Sequence, residues 1–350
     1  MNYNFIEKLR EFVKNNGLNE ELNKSLKNLN ARKSGNSVKY TFEEHIEAVI
    51  YSLLSNQRKW KTIEDNKENI NKIFFNYNIE KIKNIENFEI LKEYEKYEKF
   101  LEKIKLIEKL GIKKDIENFD IFKMKIEGIN ISNTDKMLDN IKEIENIIEI
   151  KKYKKIIKIN KEINKIIKED TNYFVIKLKK IKCANRSIHA QMRGLKKIIE
   201  VFEQIEKENN CEIDDFIYNN EEVKKGYPYK LALKLSDPKN PYKLINMGIA
   251  LVCEYFKNIG IDIAKPDTHI KRMLGRNILG FSKNIEATDE EAIKYIKEIA
   301  DKNNTSQIEV DALIWLYCAE EYGEICTKEN PKCNKCVIKD YCNKNKLSTT

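Results

Sequence analysis

No apolar run in this chain of 350 residues reaches the roughly 20 needed to span a bilayer, so a membrane-embedded protein is not expected. The opening MNYNFIEKLR lacks the apolar core and small-residue cleavage site of a secretory signal, and the expected location is therefore cytoplasmic. Thiols stay reduced in that compartment, so the eight cysteines are not expected to form disulfides. Sustained apolar–polar alternation, the mark of a half-buried strand, is missing throughout, and the expected fold class is all-α. No proline precedes Pro228 and no cysteine precedes Cys183. The two halves therefore differ in composition, with a boundary expected near residue 176.

What the chain has in excess is lysine, isoleucine, asparagine and glutamate. Its formal charge of +9 suits an acidic partner such as nucleic acid, but a solvated Lys/Glu surface accounts for most of it. Local charge is more informative. Between Glu324 and Lys346 six lysines stand against three acids, which makes this stretch a candidate phosphate-facing surface.

Helical spacing is legible in several places. Thr41 and Glu44 make a capping-box pattern around the start of a helix whose apolar face is Phe42, Ile46, Val49, Ile50, Leu53 and Leu54. Thr288 and Glu291 repeat the device before Ala292, Ile293 and Ile296, and Leu195, Ile198, Ile199, Phe202 and Ile205 define another amphipathic helix. From Glu80 to Asp170 the chain is almost wholly Lys, Ile, Glu, Asn and Tyr. There Tyr97, Phe100, Leu101, Ile104 and Ile107, and then Ile141, Ile144, Ile147 and Ile148, predict amphipathic helices, with breaks near Gly111 and Gly128. That segment holds no catalytic constellation.

The pattern that narrows the chemistry furthest is Cys326-x6-Cys333-x2-Cys336-x5-Cys342. Four thiolates in so short a polar stretch can converge on one metal centre, either a tetrahedral zinc or an iron–sulfur cluster. A single Cys-x2-Cys pair is common to zinc ribbons and knuckles, so spacing alone leaves both open.

Upstream of the cysteines, an apolar helix is followed by Lys265-Pro266-Asp267-Thr268-His269-Ile270-Lys271-Arg272, and then at some distance by Trp315. With the cysteine spacing, this order resembles the endonuclease III family of DNA glycosylases. In that family a helix-hairpin-helix leads to an Asp-Thr-His helix start and a cysteine loop of the same x6, x2, x5 spacing. Leu54-Ser55-Asn56-Gln57 is similar to the family's Leu-Ser-x-Gln at the end of a barrel helix. The resemblance covers residues 41–78 and 176–346. It implies a six-helix barrel with its hairpin over 41–78 and 176–266, and a catalytic-Asp helix with a cluster domain over 267–346. Helices of residues 1–40 would pack with that cluster domain, and 79–175 would be a helical insertion offering extended contact with DNA or with a protein. A [4Fe–4S] cluster on Cys326, Cys333, Cys336 and Cys342 is implied, zinc being the alternative. The implied partner is double-stranded DNA with a damaged or mismatched base, the implied activity is base-excision repair, and the implied place is beside the nucleoid.

Cleaving an N-glycosidic bond builds positive charge on the deoxyribose, which a carboxylate beneath the sugar stabilises. By the resemblance that carboxylate is Asp267, which also stands where a helix N-cap belongs, and the two roles can coexist. At the position of the lysine carried by bifunctional members stands Ile249 or Ala250, and Lys243, Lys257 and Lys265 lie elsewhere, so lyase activity is not expected. The hairpin reads Leu244-Ile245-Asn246-Met247-Gly248 where the family has Leu-Pro-Gly-x-Gly. Asn246 and Gly248 are its remaining candidates for the turn and for a phosphate contact. Other expected DNA contacts are Gln57 in the gap left by an extruded nucleotide, Arg58 and Lys59 on phosphates, and Arg186 and His189 at the cleft mouth. Trp315, among Leu313, Ile314 and Leu316, reads as core. The rival reading is the same fold without catalysis, as a DNA-binding or partner-docking protein.

Iron, sulfide and zinc analysis of protein purified with and without oxygen separates the two centres. About four irons and four sulfides per chain are expected in the anaerobic sample; one zinc with no sulfide would exclude the cluster.

Overall fold

The computed structural model describes residues 3–34, 38–56, 59–87 and 172–344, and every regular element among them is a helix. The chain divides into two units, one of Met1–Ile82 with Lys177–Thr350 and one of Lys83–Ile176. Nearly all of the second unit lies outside the described residues, including the helical faces expected around Tyr97 and Ile144 and the breaks expected near Gly111 and Gly128. The elements below belong to the first. Among the described residues no helix is long and apolar enough to cross a membrane.

In chain order the principal helices are α1 (Phe5–Asn15), α2 (Asn19–Lys33), α3 (Phe42–Leu54), α4 (Ile188–Asn209), α5 (Ile213–Tyr218), α6 (Pro228–Ser236), α7 (Ile249–Asn258), α8 (Thr268–Leu274), α9 (Asp289–Lys302) and α10 (Gln307–Cys318). Their starts follow local chemistry. At α3 the Thr41 hydroxyl accepts from the Glu44 N–H, and the Glu44 carboxylate accepts from the Thr41 N–H at 2.7 Å. Thr288 and Glu291 make the same reciprocal pair at α9, as the sequence pattern predicts. Pro228 opens α6 at a position where its missing N–H leaves no partner unsatisfied.

Two apolar clusters order these helices. In one, α1, α8, α9 and α10 bury Phe5, Leu9, Ile270, Ile296, Leu313 and Ile314, with Cys326, Cys336 and Cys342 packed against the margin. α10 is the central member, and from Ile308 to Cys318 every residue but Glu309 and Trp315 is buried, which accounts for its nearly uniform apolar sequence. In the other, α3 packs on α7 and lies beside α4 and α5, and the face Ile46, Val49, Ile50, Leu53 and Leu54 is fully covered. Leu195, Ile198, Ile199, Phe202 and Ile205 bury the matching stripe of α4. Each such side chain contributes roughly 1.5–3 kcal/mol of transfer free energy.

A polar knot ties this second cluster to α2. The Arg32 guanidinium forks onto both carboxylate oxygens of Asp214, donates to the carbonyls of Ile259 and Val38, and lies between the rings of Tyr40 and Tyr218, each 4.6 Å away. Asp214 also accepts from His45 Nε2 at 3.1 Å, while His45 Nδ1 accepts from the Tyr255 hydroxyl at 2.6 Å. Burial lowers the pKa of His45 against the pull of Asp214, so the imidazole is neutral and its tautomer follows from these two bonds. Burial acts against the Asp214 charge too, but the bonds from His45 and Arg32 outweigh it and hold the carboxyl at about 2.

Both shifts act in one direction. As pH falls through 6.5 the unfolded chain takes up a proton that folded His45 refuses, and as it falls from 3.8 towards 2 the same holds for Asp214. Urea unfolding should therefore show stability declining below pH 6.5, with about 2 kcal/mol lost through Asp214 at the acid end. In Asp214→Asn that last component should be missing; an unchanged acid slope in the variant would contradict the assignment.

Candidate nucleic-acid interface and cysteine loop

Asp267 is the N-cap of α8. Its Oδ1 accepts from the His269 N–H at 2.8 Å and from the Ile270 N–H at 3.0 Å, and Oδ2 takes part in neither bond. Capping therefore engages one oxygen and leaves the second, on a half-buried residue, for other chemistry. Burial lowers the pKa of His269, against the attraction of Asp267, so the imidazole beside the cap is neutral at neutral pH.

The loop before Asp267 reaches the end of α3. The Lys265 ammonium donates to Ser55 Oγ at 3.2 Å, and that hydroxyl donates to the Ser52 carbonyl at 2.8 Å. Leu54-Ser55-Asn56 is thereby placed beside Lys265-Pro266-Asp267, which the sequence separates by some 210 positions. Gln57 and Arg58 lie outside the described residues. Lys59 is exposed, and its ammonium pairs with Glu320 at 3.1 Å and Glu321 at 3.3 Å, so a phosphate there would compete with two carboxylates.

The hairpin sits on the first turns of α4. Asn246 takes the left-handed conformation, with φ of +60°, and its amide donates to the Ala190 carbonyl at 2.6 Å. A Cβ at Gly194 would stand 2.6 Å from that amide nitrogen and 3.1 Å from the Ile245 side chain, so a larger residue there would displace the Asn246 amide from its bond to Ala190. Lys243 closes the turn by donating to the carbonyls of Leu244, at 2.8 Å, and Met247. Gly248 is exposed, has ordinary extended backbone, and caps α7 with no side chain over the open first turn. Of the two candidate turn residues, Asn246 alone adopts the unusual dihedral.

Arg186 is exposed and His189 half-buried at the entry to α4, where the His189 carbonyl accepts from Arg193 Nε at 3.3 Å. Between them and α3, Asn185 donates to the Leu53 carbonyl at 2.8 Å and to Gln191 Oε1 at 3.1 Å. The buried Nε2 of Gln191 has no partner among the described residues. A continuous line of contacts thus runs from the hairpin through the start of α4 and the end of α3 to the Asp267 loop.

Four charged groups behind that loop escaped the sequence reading. Glu254 and Lys257 project from α7, Asp311 from α10 and Lys265 from the loop, and Lys257 pairs directly with Asp311. Burial pushes the Asp311 carboxyl up to about 6, against Lys257, with Asp267 adding to the rise. Burial also opposes the Glu254 charge, but Lys257 and Lys265 prevail and hold its pKa below the usual carboxylate range. Lys257 and Lys265 draw attention in the sequence only as possible nucleophiles. The overlooked signal was Asp311, beyond the first turn of the otherwise apolar QIEVDALIWLYC of α10, matched by Glu254 and Lys257 in the apolar IALVCEYFKN of α7.

The cysteine loop hangs from α8 and α10. The Lys332 N–H donates to the Ile325 carbonyl at 2.8 Å, closing the stretch between Cys326 and Cys333, and the Cys336 N–H to the Cys333 carbonyl at 3.3 Å closes the next turn. Cys336 Sγ accepts from the Tyr317 hydroxyl at 3.2 Å, while that hydroxyl oxygen accepts from the Val337 N–H at 3.0 Å. Arg272, on α8, donates to the Cys326 carbonyl at 2.6 Å. A hydrogen bond with buried Cys318 lowers the Cys326 thiol to about 7 against its burial, with Arg272 assisting. As placed, no three Cys, His, Asp or Glu side chains among the described residues are gathered closely enough to hold an ion. The donor chemistry, four free thiols within one short loop closed by backbone hydrogen bonds, is that of a four-thiolate centre. Trp315 is half-buried, packed on the core and against Tyr322 at 4.8 Å between ring centroids.

In comparisons with family models, curated proteins and solved structures, the chain matches none.

Asp267→Ala should lose about 1 kcal/mol in urea unfolding, because two N–H groups lose their acceptor, whereas Asp267→Asn should stay within about 0.5 kcal/mol of wild type. Equal stability of the alanine variant would show that the cap does not matter.

Proposed function

We propose that the chain is a monofunctional DNA N-glycosylase that extrudes a damaged or mismatched base and hydrolyses its glycosidic bond at Asp267. The observation that carries this reading is the divided carboxylate: Oδ1 holds α8 and Oδ2 is left over, in a loop tied to Leu54-Ser55-Asn56. As the C1′–N bond breaks, the departing base takes the bonding electron pair and the sugar becomes cationic. Asp267 stabilises that cation and accepts a proton from the water that adds to C1′. Water is the nucleophile because Ile249 and Ala250 offer none, and Lys243, Lys257 and Lys265 are each held as donors to carbonyl, carboxylate or hydroxyl oxygens.

The remaining residues serve binding in this reading. Asn246 and Gly248 shape a hairpin turn at the N-terminus of α7, and Arg186 and His189 flank it at the start of α4. Gln57 would fill the gap in the duplex, with Arg58 and Lys59 on its phosphates. Cys326, Cys333, Cys336 and Cys342 would hold a [4Fe–4S] cluster, which when bound supplies a rigid closed centre that keeps the lysine-rich loop in shape. Residues 79–175 would extend the contact with DNA.

A screen of lesion and mismatch duplexes, comparing wild type with Asp267→Asn, tests the reading. Wild type is expected to leave alkali-labile abasic sites on at least one duplex without cutting the strand, and the variant to lose roughly a hundredfold or more in rate. Binding without product on any duplex would favour a catalytically silent DNA-binding protein. A borohydride-trapped covalent adduct with abasic DNA would refute the monofunctional assignment.

A further inference from the structure

The four buried charges behind the Asp267 loop form one connected object. Asp311 Oδ2 accepts from the Lys257 ammonium and, at 3.3 Å, from the main-chain N–H of Lys265. Glu254 Oε2 stands 3.6 Å from the ammonium groups of both lysines, and Lys265 extends the chain to Ser55 on the far side. The most exposed of the four side chains is 17 % accessible, and Asp311 is 2 % accessible. Removing four ions from water is unfavourable, and apolar side chains of similar volume would pack such a site at lower cost in free energy. Their burial is weak evidence for a stabilising role, so their position has to be read as well.

Position and sign supply a function. Asp311 grips the main chain at Lys265, two residues before Asp267, and the side chain of that same Lys265 spans to the end of α3. Two cations and two anions sum to zero. A net positive charge so close to Asp267 would cancel the field that stabilises a developing sugar cation, and a net negative charge would favour a protonated, ineffective Asp267. A neutral set holds the loop without doing either.

We infer that Glu254, Lys257, Lys265 and Asp311 form a charge-neutral clasp that positions Asp267 for hydrolysis and keeps it in register with the end of α3. They are positioning residues, since none has to touch DNA or the reacting atoms. The inference rests on the glycosylase reading for the purpose of the clasp, though not for its mechanical effect on the loop.

The test uses the full chain with Lys257→Met, Asp311→Asn and the double variant. Each single change strands a buried charge, whereas the double change restores neutrality, and the amide oxygen introduced by Asp311→Asn can still accept the Lys265 N–H. Amide exchange at His269 and Ile270, the two groups capped by Asp267, should quicken about tenfold or more in each single variant and return to within about threefold of wild type in the double. Exchange in the middle of α3 should not change. On a duplex that wild type hydrolyses, the single-turnover rate should fall about tenfold or more in the single variants, while the Kd for a duplex carrying tetrahydrofuran in place of the nucleotide stays within about threefold. Unchanged exchange at His269 and Ile270, or equal acceleration in α3, would overturn the clasp, as would rate and Kd changing together. If wild type hydrolyses nothing, the glycosylase reading fails alone, because the exchange pattern still decides whether the clasp exists.

Discussion

Two hydrogen bonds to a single carboxylate oxygen set the terms for the whole candidate site. Because Oδ1 of Asp267 satisfies the N–H groups of His269 and Ile270, α8 begins where it does, and because both bonds fall on one oxygen, the other stays available. From that helix start Arg272 reaches the Cys326 carbonyl, so the cysteine loop takes its bearing from α8 as well. Moving the helix start by one residue would turn Arg272 away from the Cys326 carbonyl. Helix geometry therefore links a catalytic proposal and a metal-loop proposal that are far apart in chemistry.

The first unit buries charge twice, in two different ways. Around Asp214 the arrangement is a structural knot: one arginine, one aspartate and a neutral histidine joined to a tyrosine, holding α2, α3, α5 and α7 together, with every donor directed at an acceptor. Around Asp311 the arrangement is looser, with two separations of 3.6 Å, and it lies behind the loop that carries Asp267. The tight knot suits a fixed core. The looser set suits a loop whose exact placement controls what its neighbour can do.

Much of the helical framework was legible in the sequence, because it depends on local chemistry. The capping boxes at Thr41 and Thr288 and the stripe from Leu195 to Ile205 are determined by residues a few positions apart, and the structure has them as read. The left-handed turn was legible as a choice between Asn246 and Gly248, but which of them takes it depends on the Ala190 carbonyl, 56 positions away. Of the Asp311 clasp only its charges within two apolar helices were legible, and not their pairing. It joins α7, α10 and a loop, and nothing local in any of these says which acid will meet which lysine. Lys59 shows the converse, since its sequence neighbours suggest a free cation and the fold supplies Glu320 and Glu321.

The central claim is that Asp267 faces a sugar cation, and it can be tested without knowing which base is removed. Duplexes would carry either a cationic pyrrolidine or its uncharged tetrahydrofuran counterpart in place of one nucleotide, and Kd would be measured for wild type and Asp267→Asn. The account predicts that wild type prefers the cation by about a hundredfold or more and that the variant loses the preference while still binding the neutral duplex. Equal affinity of wild type for the two duplexes would contradict it.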